Sequence, residues 1–407
     1  MENATVTYTL KDKLKAMGPG ILVVGSFIGP GTVTSATRAG ANYGYALLWA
    51  VIFSVIAVIV MQGMSARIGI VTQNGIAENI VTETSDTPIL KWFMIALIAG
   101  AITLGGIAYM GGDLTGTAIG ISTITGIPSH IVAPVWGLCI LVLINIGDAI
   151  KSLEKLLSVC VATMAFVFVV SMVIVKPDVG ALLKGSVPSV PVGSAMMSVA
   201  LIGTTVVPYN MFIHATSARK TWDSPSQIPL ARFDVIVSMI IGGIITAAIL
   251  ITAGTVMYGL TVNSATDMAM QLQPLLGKFA VPFLAAGLIA AGVSSAVVTP
   301  LGVSYVLAGL FGWEMSKKDK RFFWTNIIVV VFGIFVTATG FNPLTIIMMA
   351  QAINGIFLPI IVFSVVFMSS RKRVMGEYRN TPLQVVIGCC VGVISLVIGL
   401  TSVMSIL

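Results

Sequence analysis

Eleven apolar runs fill almost the whole of this chain, and each is long enough to cross a bilayer as a helix. They fall at roughly 19–38, 43–66, 89–124, 129–147, 155–175, 195–218, 234–258, 280–311, 322–340, 344–369 and 382–405. Such a chain has little choice of fold. In hydrocarbon every backbone N–H and C=O must be satisfied within the protein, because each one left bare costs several kcal/mol, and helices satisfy their own. Only 9% of the residues are charged, against about 25% in a soluble domain, which excludes a soluble enzyme or binding module. The expected fold class is an all-α polytopic membrane protein, one membrane domain over residues 1–407.

The net charge of +7 does not indicate nucleic acid, because its placement explains it. With the N-terminus cytoplasmic, all of the 22 basic residues except Arg38, Lys176, Lys184 and Lys278 fall on the inside. The positive-inside rule therefore sets the N-terminus in and the C-terminus out, in what is expected to be a bacterial plasma membrane. Met1 to Met17 lacks the apolar core and cleavage site of a signal peptide. Cys139, Cys160, Cys389 and Cys390 lie inside apolar runs without CxxC spacing, so neither a disulfide framework nor a thiolate metal site is expected. No cofactor is expected.

Two runs are interrupted near mid-membrane, at Gly29-Pro30-Gly31-Thr32 and Val207-Pro208-Tyr209-Asn210. Proline removes a backbone donor and the glycines let the chain unwind, which lipid tolerates only where protein or a wet cavity satisfies the freed groups. Breaks in the first and sixth spans divide the chain into inverted five-helix repeats, 12–175 and 195–369, with 382–405 as an added helix. That pattern is the LeuT-type architecture of secondary transporters, whose substrate sits at the paired breaks. The segment from Tyr258 to Phe279 contains Asp267, Met268, Met270 and Leu272 and is expected to form a short helix over the outer mouth.

Several segments resemble one family, the Nramp divalent-metal transporters. Gly18-Pro19-Gly20 through Gly44-Tyr45-Ala46-Leu47-Leu48-Trp49 is similar to their first helix and the turn after it, and Asp113-Leu114 to Gly126-Ile127-Pro128 to their third. Pro208 to His214 resembles the sixth, and Ala286 to Gly292 with Ser294-Ser295 the eighth. The resemblance implies metal transport, but the ligands it implies are replaced. The family's Asp-Pro-Gly-Asn reads Gly29-Pro30-Gly31-Thr32 here, and its Met-Pro-His-Asn reads Val207-Pro208-Tyr209-Asn210. The family's tenth-helix glutamine aligns best with Ala352, with Gln351 and Asn354 as neighbours. Its third-helix glutamate is Gly116, and the ninth span has no internal arginine.

Without soft sulfur, imidazole or a carboxylate at the breaks, the residues point to a small organic carboxylate, such as an amino acid or 5-oxoproline, held by the free N–H groups of the half-helix beginning near Thr32. The expected substrate contacts are Ser26, Phe27, Gly29, Gly31, Thr32, Thr204, Val207, Tyr209, Asn210 and Gln351, with Tyr109 as a wall and Thr34 and Ser35 as further donors. Alternatively Thr32 and Ser35 only bond back to their own helix. Symport with Na+ or H+ would involve Asp113, His214, Ser294 and Ser295, with carbonyls near Gly25 and Ile28 facing the serines. Asp113 is alternatively satisfied by Thr115 or Thr117, and His214 and the serines by packing alone. Two further readings remain: a divalent cation, Mg2+ or Mn2+, carried with part of its hydration shell, and a non-transporting membrane receptor. The expected partners are a small substrate and the lipid bilayer.

Overall fold

The computed structural model describes residues 8–145, 149–316 and 318–404; the side chains of residues 21, 22, 26, 27, 145 and 149–155 lie outside the description. The chain begins with α1 (Leu10–Lys15), and the first span consists of two half-helices, α2 (Pro19–Phe27) and α3 (Pro30–Tyr43). Then come α4 (Leu48–Thr72), α5 (Ile76–Glu83), α6 (Pro88–Thr125), α7 (Ser129–Asn145), α8 (Ala149–Ile174) and α9 (Val179–Gly185). The sixth span is again two half-helices, α10 (Ala195–Thr205) and α11 (Pro208–Thr221). After α12 (Ile228–Val256), two short helices, α13 (Ala265–Ala269) and α14 (Gln273–Leu276), precede α15 (Ala280–Phe311). The chain ends with α16 (Lys320–Thr337), α17 (Pro343–Ser370), α18 (Lys372–Met375) and α19 (Pro382–Met404).

Among the described residues, nine helical stretches are long and apolar enough to cross a membrane, the joined α10–α11 among them. The broken α2–α3 and the shorter α7 complete the eleven spans expected from the sequence. Pro30 and Pro208 stand at the first position of α3 and α11, not in mid-helix. There the missing N–H costs nothing and the fixed φ favours a new helix, so each proline restarts the chain after a short extended link. Gly29 and Val207 are those extended links. The second half-helix of the first span therefore begins two residues before Thr32.

Small residues set the closest helix crossings. An ideal Cβ on Gly203 of α10 would lie 2.1 Å from the Gln351 carbonyl oxygen and 2.6 Å from the Gly355 nitrogen of α17. On Gly69 of α4 it would lie 2.1 Å from the Ala215 carbonyl oxygen of α11. The first of these crossings brings α17 against the sixth-span break.

The two ends of the broken pair are held differently. Beyond the end of α3, the Tyr43 hydroxyl donates to Gly193 O at 2.8 Å, and the Gly259 N–H donates to Ala41 O at 2.9 Å. The expected helical cover is present as α13 and α14, and buried Gln271 between them donates to Thr37 Oγ1 at 2.7 Å. At the opposite end, the Asp234 carboxylate of α12 accepts from the Gly18 and Gly20 N–H groups at 3.1 and 2.6 Å. It caps the donors that the start of α2 leaves unsatisfied. On this same side Arg371 pairs with Glu83 and Arg373 with Asp86, each at 2.7 Å. The hydrogen bond and charge of Arg373 hold the exposed Asp86 carboxyl below its ordinary range. That pair's stabilisation is present above the unfolded-state value and lost as pH falls through the lowered one.

Candidate functional site

The two breaks face each other in the core, joined by a buried hydroxyl pair, Thr32 Oγ1 and Thr204 Oγ1 at 2.8 Å. Thr32 thus bonds across to the other break. Ser35 Oγ and Thr34 Oγ1 are buried without a hydrogen-bond partner, so the alternative in which Ser35 bonds back to its own helix does not hold. The Gln351 side chain lies over Gly31: an ideal Cβ there would meet Gln351 Nε2 at 2.1 Å and Oε1 at 3.1 Å. Gln351 Oε1 is itself buried and unpartnered. Ala352, the better match in the sequence, instead packs among Val199 and Ala200. One residue along a helix turns a side chain by about 100°, and here that turn decides which residue faces the break.

Gly29 is buried beside α15. A Cβ there would lie 3.8 Å from Ser295, in ordinary contact. Ser295 Oγ donates to Asp113 Oδ2 at 2.8 Å, and Thr299 Oγ1, one turn along α15, donates to the same oxygen at 2.9 Å. The Tyr209 hydroxyl lies 3.1 Å from Thr299 Oγ1, and its ring meets Tyr109 edge-on with centroids 6.0 Å apart. All of these side chains are buried. The alternative in which Thr115 or Thr117 satisfies Asp113 does not hold: their hydroxyls donate to the Gly111 and Asp113 carbonyls, closing turns of α6. The breaks themselves carry no carboxylate; Asp113 stands behind Ser295, which an ideal Cβ on Gly29 would meet at 3.8 Å. Gly116, where the resemblance leads one to expect glutamate, packs directly on the first break: a Cβ would meet Pro30 Cβ at 2.1 Å.

Val207 is buried at the second break, and Asn210, in the first turn of α11, reaches a cavity of about 410 Å³. This mainly apolar cavity runs from Gly25, Ile28 and Ser294 toward the end of the bundle that carries Pro19 and Ser217. Ser294 lines the same cavity as Gly25 and Ile28, while Ser295 turns to Asp113. His214 is not brought to this cluster. It points at α4, where Nδ1 lies 2.6 Å from Gln62 Oε1, and its Nε2 is buried without a partner. The side chains of Ser26 and Phe27 lie outside the described residues. Among the described residues no three His, Cys, Asp or Glu side chains gather to hold a metal ion.

Thr299 and Gln62 escaped the sequence reading. The signal for Thr299 is its i, i+4 spacing from Ser295, which puts both hydroxyls on one face of α15. For Gln62 it is a lone amide within an apolar run.

An eleven-span bundle with two opposed broken helices, closed over one mouth and hollow toward the other, defines a secondary transporter of the LeuT type. Residues 20–405 match the family model described as natural resistance-associated macrophage protein-like, and the chain belongs to this Nramp family. It is 27% identical over 394 residues to a divalent metal cation transporter of Deinococcus radiodurans, covering 94% of this chain and 87% of the relative. The fold is similar to that of a manganese transporter from Eremococcus coleocola, with a TM-score of 0.79 at 20% identity over 99% of this chain and 89% of the other. It is also similar, with a TM-score of 0.56 at 14% identity over 95% of this chain and 90% of the other, to a nucleobase-cation-symport-1 family transporter. The chain is an integral membrane protein and not an enzyme.

Proposed function

We propose that this chain carries a divalent metal cation across the membrane by alternating access, as an ion such as Mg2+ or Mn2+ that keeps part of its water. One observation carries the reading: the Asp113 carboxylate stands a single hydroxyl, that of Ser295, from Gly29 at the first break. When Asp113 is deprotonated, its carboxylate in a low-dielectric interior compensates a cation at the breaks and repels an anion. The small organic carboxylate expected from the lost ligands is set aside on that ground. The whole-length likeness to relatives named as divalent metal cation transporters supports the same cargo. Neutral oxygen donors without sulfur or imidazole suit a hard ion, and Mg2+ retains several waters when few protein ligands are offered.

In this reading Gln351 Oε1, Thr32, Thr204, Asn210 and the last carbonyls of α2 and α10 contact the hydrated ion. Tyr209 and Thr299 hold Asp113, which carries the coupling proton; Na+ between Ser294 and the carbonyls of Gly25 and Ile28 is the other coupling arrangement the cavity accommodates. The N-terminus is cytoplasmic and the cavity at Asn210 is the inner vestibule.

Thermal unfolding of the purified protein tests the cargo, because a ligand that binds only the folded state at about 100 times its dissociation constant adds about 2.7 kcal/mol. Millimolar Mg2+ or Mn2+ is expected to raise the melting temperature, with no change from acetate, amino acids or 5-oxoproline. Stabilisation by a carboxylate and not by either metal would sink the proposal. Asp113→Asn is expected to keep the metal-free melting temperature within a few degrees and to lose the metal-dependent shift. An undiminished shift would place the ion elsewhere.

A further inference from the structure

A second cavity, of about 420 Å³, opens between α4, α12 and α19, away from the helix breaks. Its walls are apolar: Ile59 and Val60 from α4, Val235 and Ile236 from α12, Leu383 and Ile387 from α19. Two arginines, Arg67 and Arg232, line it as well, and no acidic residue does. Arg67 lies five residues before the end of α4, Arg232 four after the start of α12, and Gln384 two after the start of α19. The charged part of the cavity is therefore at the membrane-surface end, and its apolar part runs inward over about two helical turns.

Arg67 is oriented but not neutralised. Its guanidinium donates to Gln384 Oε1 at 3.1 Å and to Asn380 Oδ1, both neutral amide oxygens, and its buried Nε has no partner. Neither arginine has a carboxylate partner among the described residues. Two cations sharing one cavity repel each other, and near hydrocarbon the remedy is an anion. Gly63 widens the apolar part, since a Cβ there would meet nothing within 4 Å.

We propose that this cavity holds an anionic phospholipid, with the headgroup phosphate between Arg67 and Arg232 and an acyl chain along the Gly63 groove. Charge complementarity at one end and an open apolar channel at the other match an amphiphile, and a soluble anion would leave the channel unfilled. A basic pocket between membrane helices on the cytoplasmic side is a site where anionic headgroups bind.

The test uses the full chain in detergent, with melting temperature and native mass spectrometry as readouts, against phosphatidylglycerol, phosphatidylcholine and inorganic phosphate. Phosphatidylglycerol is expected to raise the melting temperature and to remain bound in the spectrometer, where phosphatidylcholine and phosphate do neither. Arg232→Gln, which breaks no hydrogen bond of the described structure, is expected to weaken phosphatidylglycerol about fivefold, the share of one basic residue at a membrane surface. Gly63→Phe fills the channel and is expected to displace the lipid with both arginines intact. Equal stabilisation by phosphate alone would overturn the lipid reading in favour of a soluble-anion site. Unchanged phosphatidylglycerol binding in both variants would overturn the site itself.

Discussion

Gly31→Val is expected to bring substrate uptake into proteoliposomes down to the level of empty vesicles, with the protein still folded and monodisperse. A Cβ at residue 31 would lie 2.1 Å from Gln351 Nε2 and 2.5 Å from its Cδ. What stands in the way is the far end of a flexible side chain, so the fold yields by swinging the amide aside. The added methyls would then occupy the place where the breaks expose backbone, and Gln351 Oε1 would leave it. Uptake and melting temperature, measured on the same preparation, check the prediction. Uptake equal to that of the unaltered protein would mean that the substrate passes elsewhere.

Gly203→Val is expected to do the opposite and remove the fold itself. The same 2.1 Å approach at this residue is to a backbone carbonyl, Gln351 O, with the Gly355 nitrogen at 2.6 Å. Neither can rotate away, so α10 and α17 must separate along their length. The cost falls at or beyond the upper end of overpacking, about 3 kcal/mol, and a membrane bundle held by close small-residue contacts has few other means of closing the gap. The variant should be lost to aggregation during size-exclusion chromatography in mild detergent. A monodisperse peak with an unchanged melting temperature would contradict the crossing described here.

The contrast between these two glycines shows where the sequence was informative. Spans, repeats and breaks were legible because lipid ties hydropathy to helix so tightly that a twenty-residue apolar run has one outcome. Asp113 stood out for the same reason, as a carboxylate within such a run. Its partners did not. Ser295 and Thr299 lie more than 180 residues away, and only the packing of α15 on α6 brings them together. Thr115 and Thr117 were the local alternatives, and helix geometry turns both hydroxyls back to carbonyls of their own helix. Gln351 was named as a substrate contact although Ala352 aligned better, because an apolar helix carries little periodicity to show which of two neighbours faces inward.

Gly29, Thr32 and Val207 stand where the resemblance implies ligands, while Asp113, legible in the sequence as a carboxylate at membrane depth, is retained. In three dimensions it stands one hydrogen bond behind Ser295. In the proposed reading, a carboxylate held at that distance compensates a cation that keeps part of its water.

The contact between Gly116 and Pro30 bears on how such a site can change over generations. With a Cβ at residue 116 meeting Pro30 Cβ at 2.1 Å and Cγ at 2.4 Å, the third span has closed over the first break. A glutamate at residue 116 would require the first break to shift, so the residue type at 116 and the position of Pro30 are coupled through packing. The departure of this chain from the metal-site pattern of its family is thus recorded in its packing as well as in its side chains.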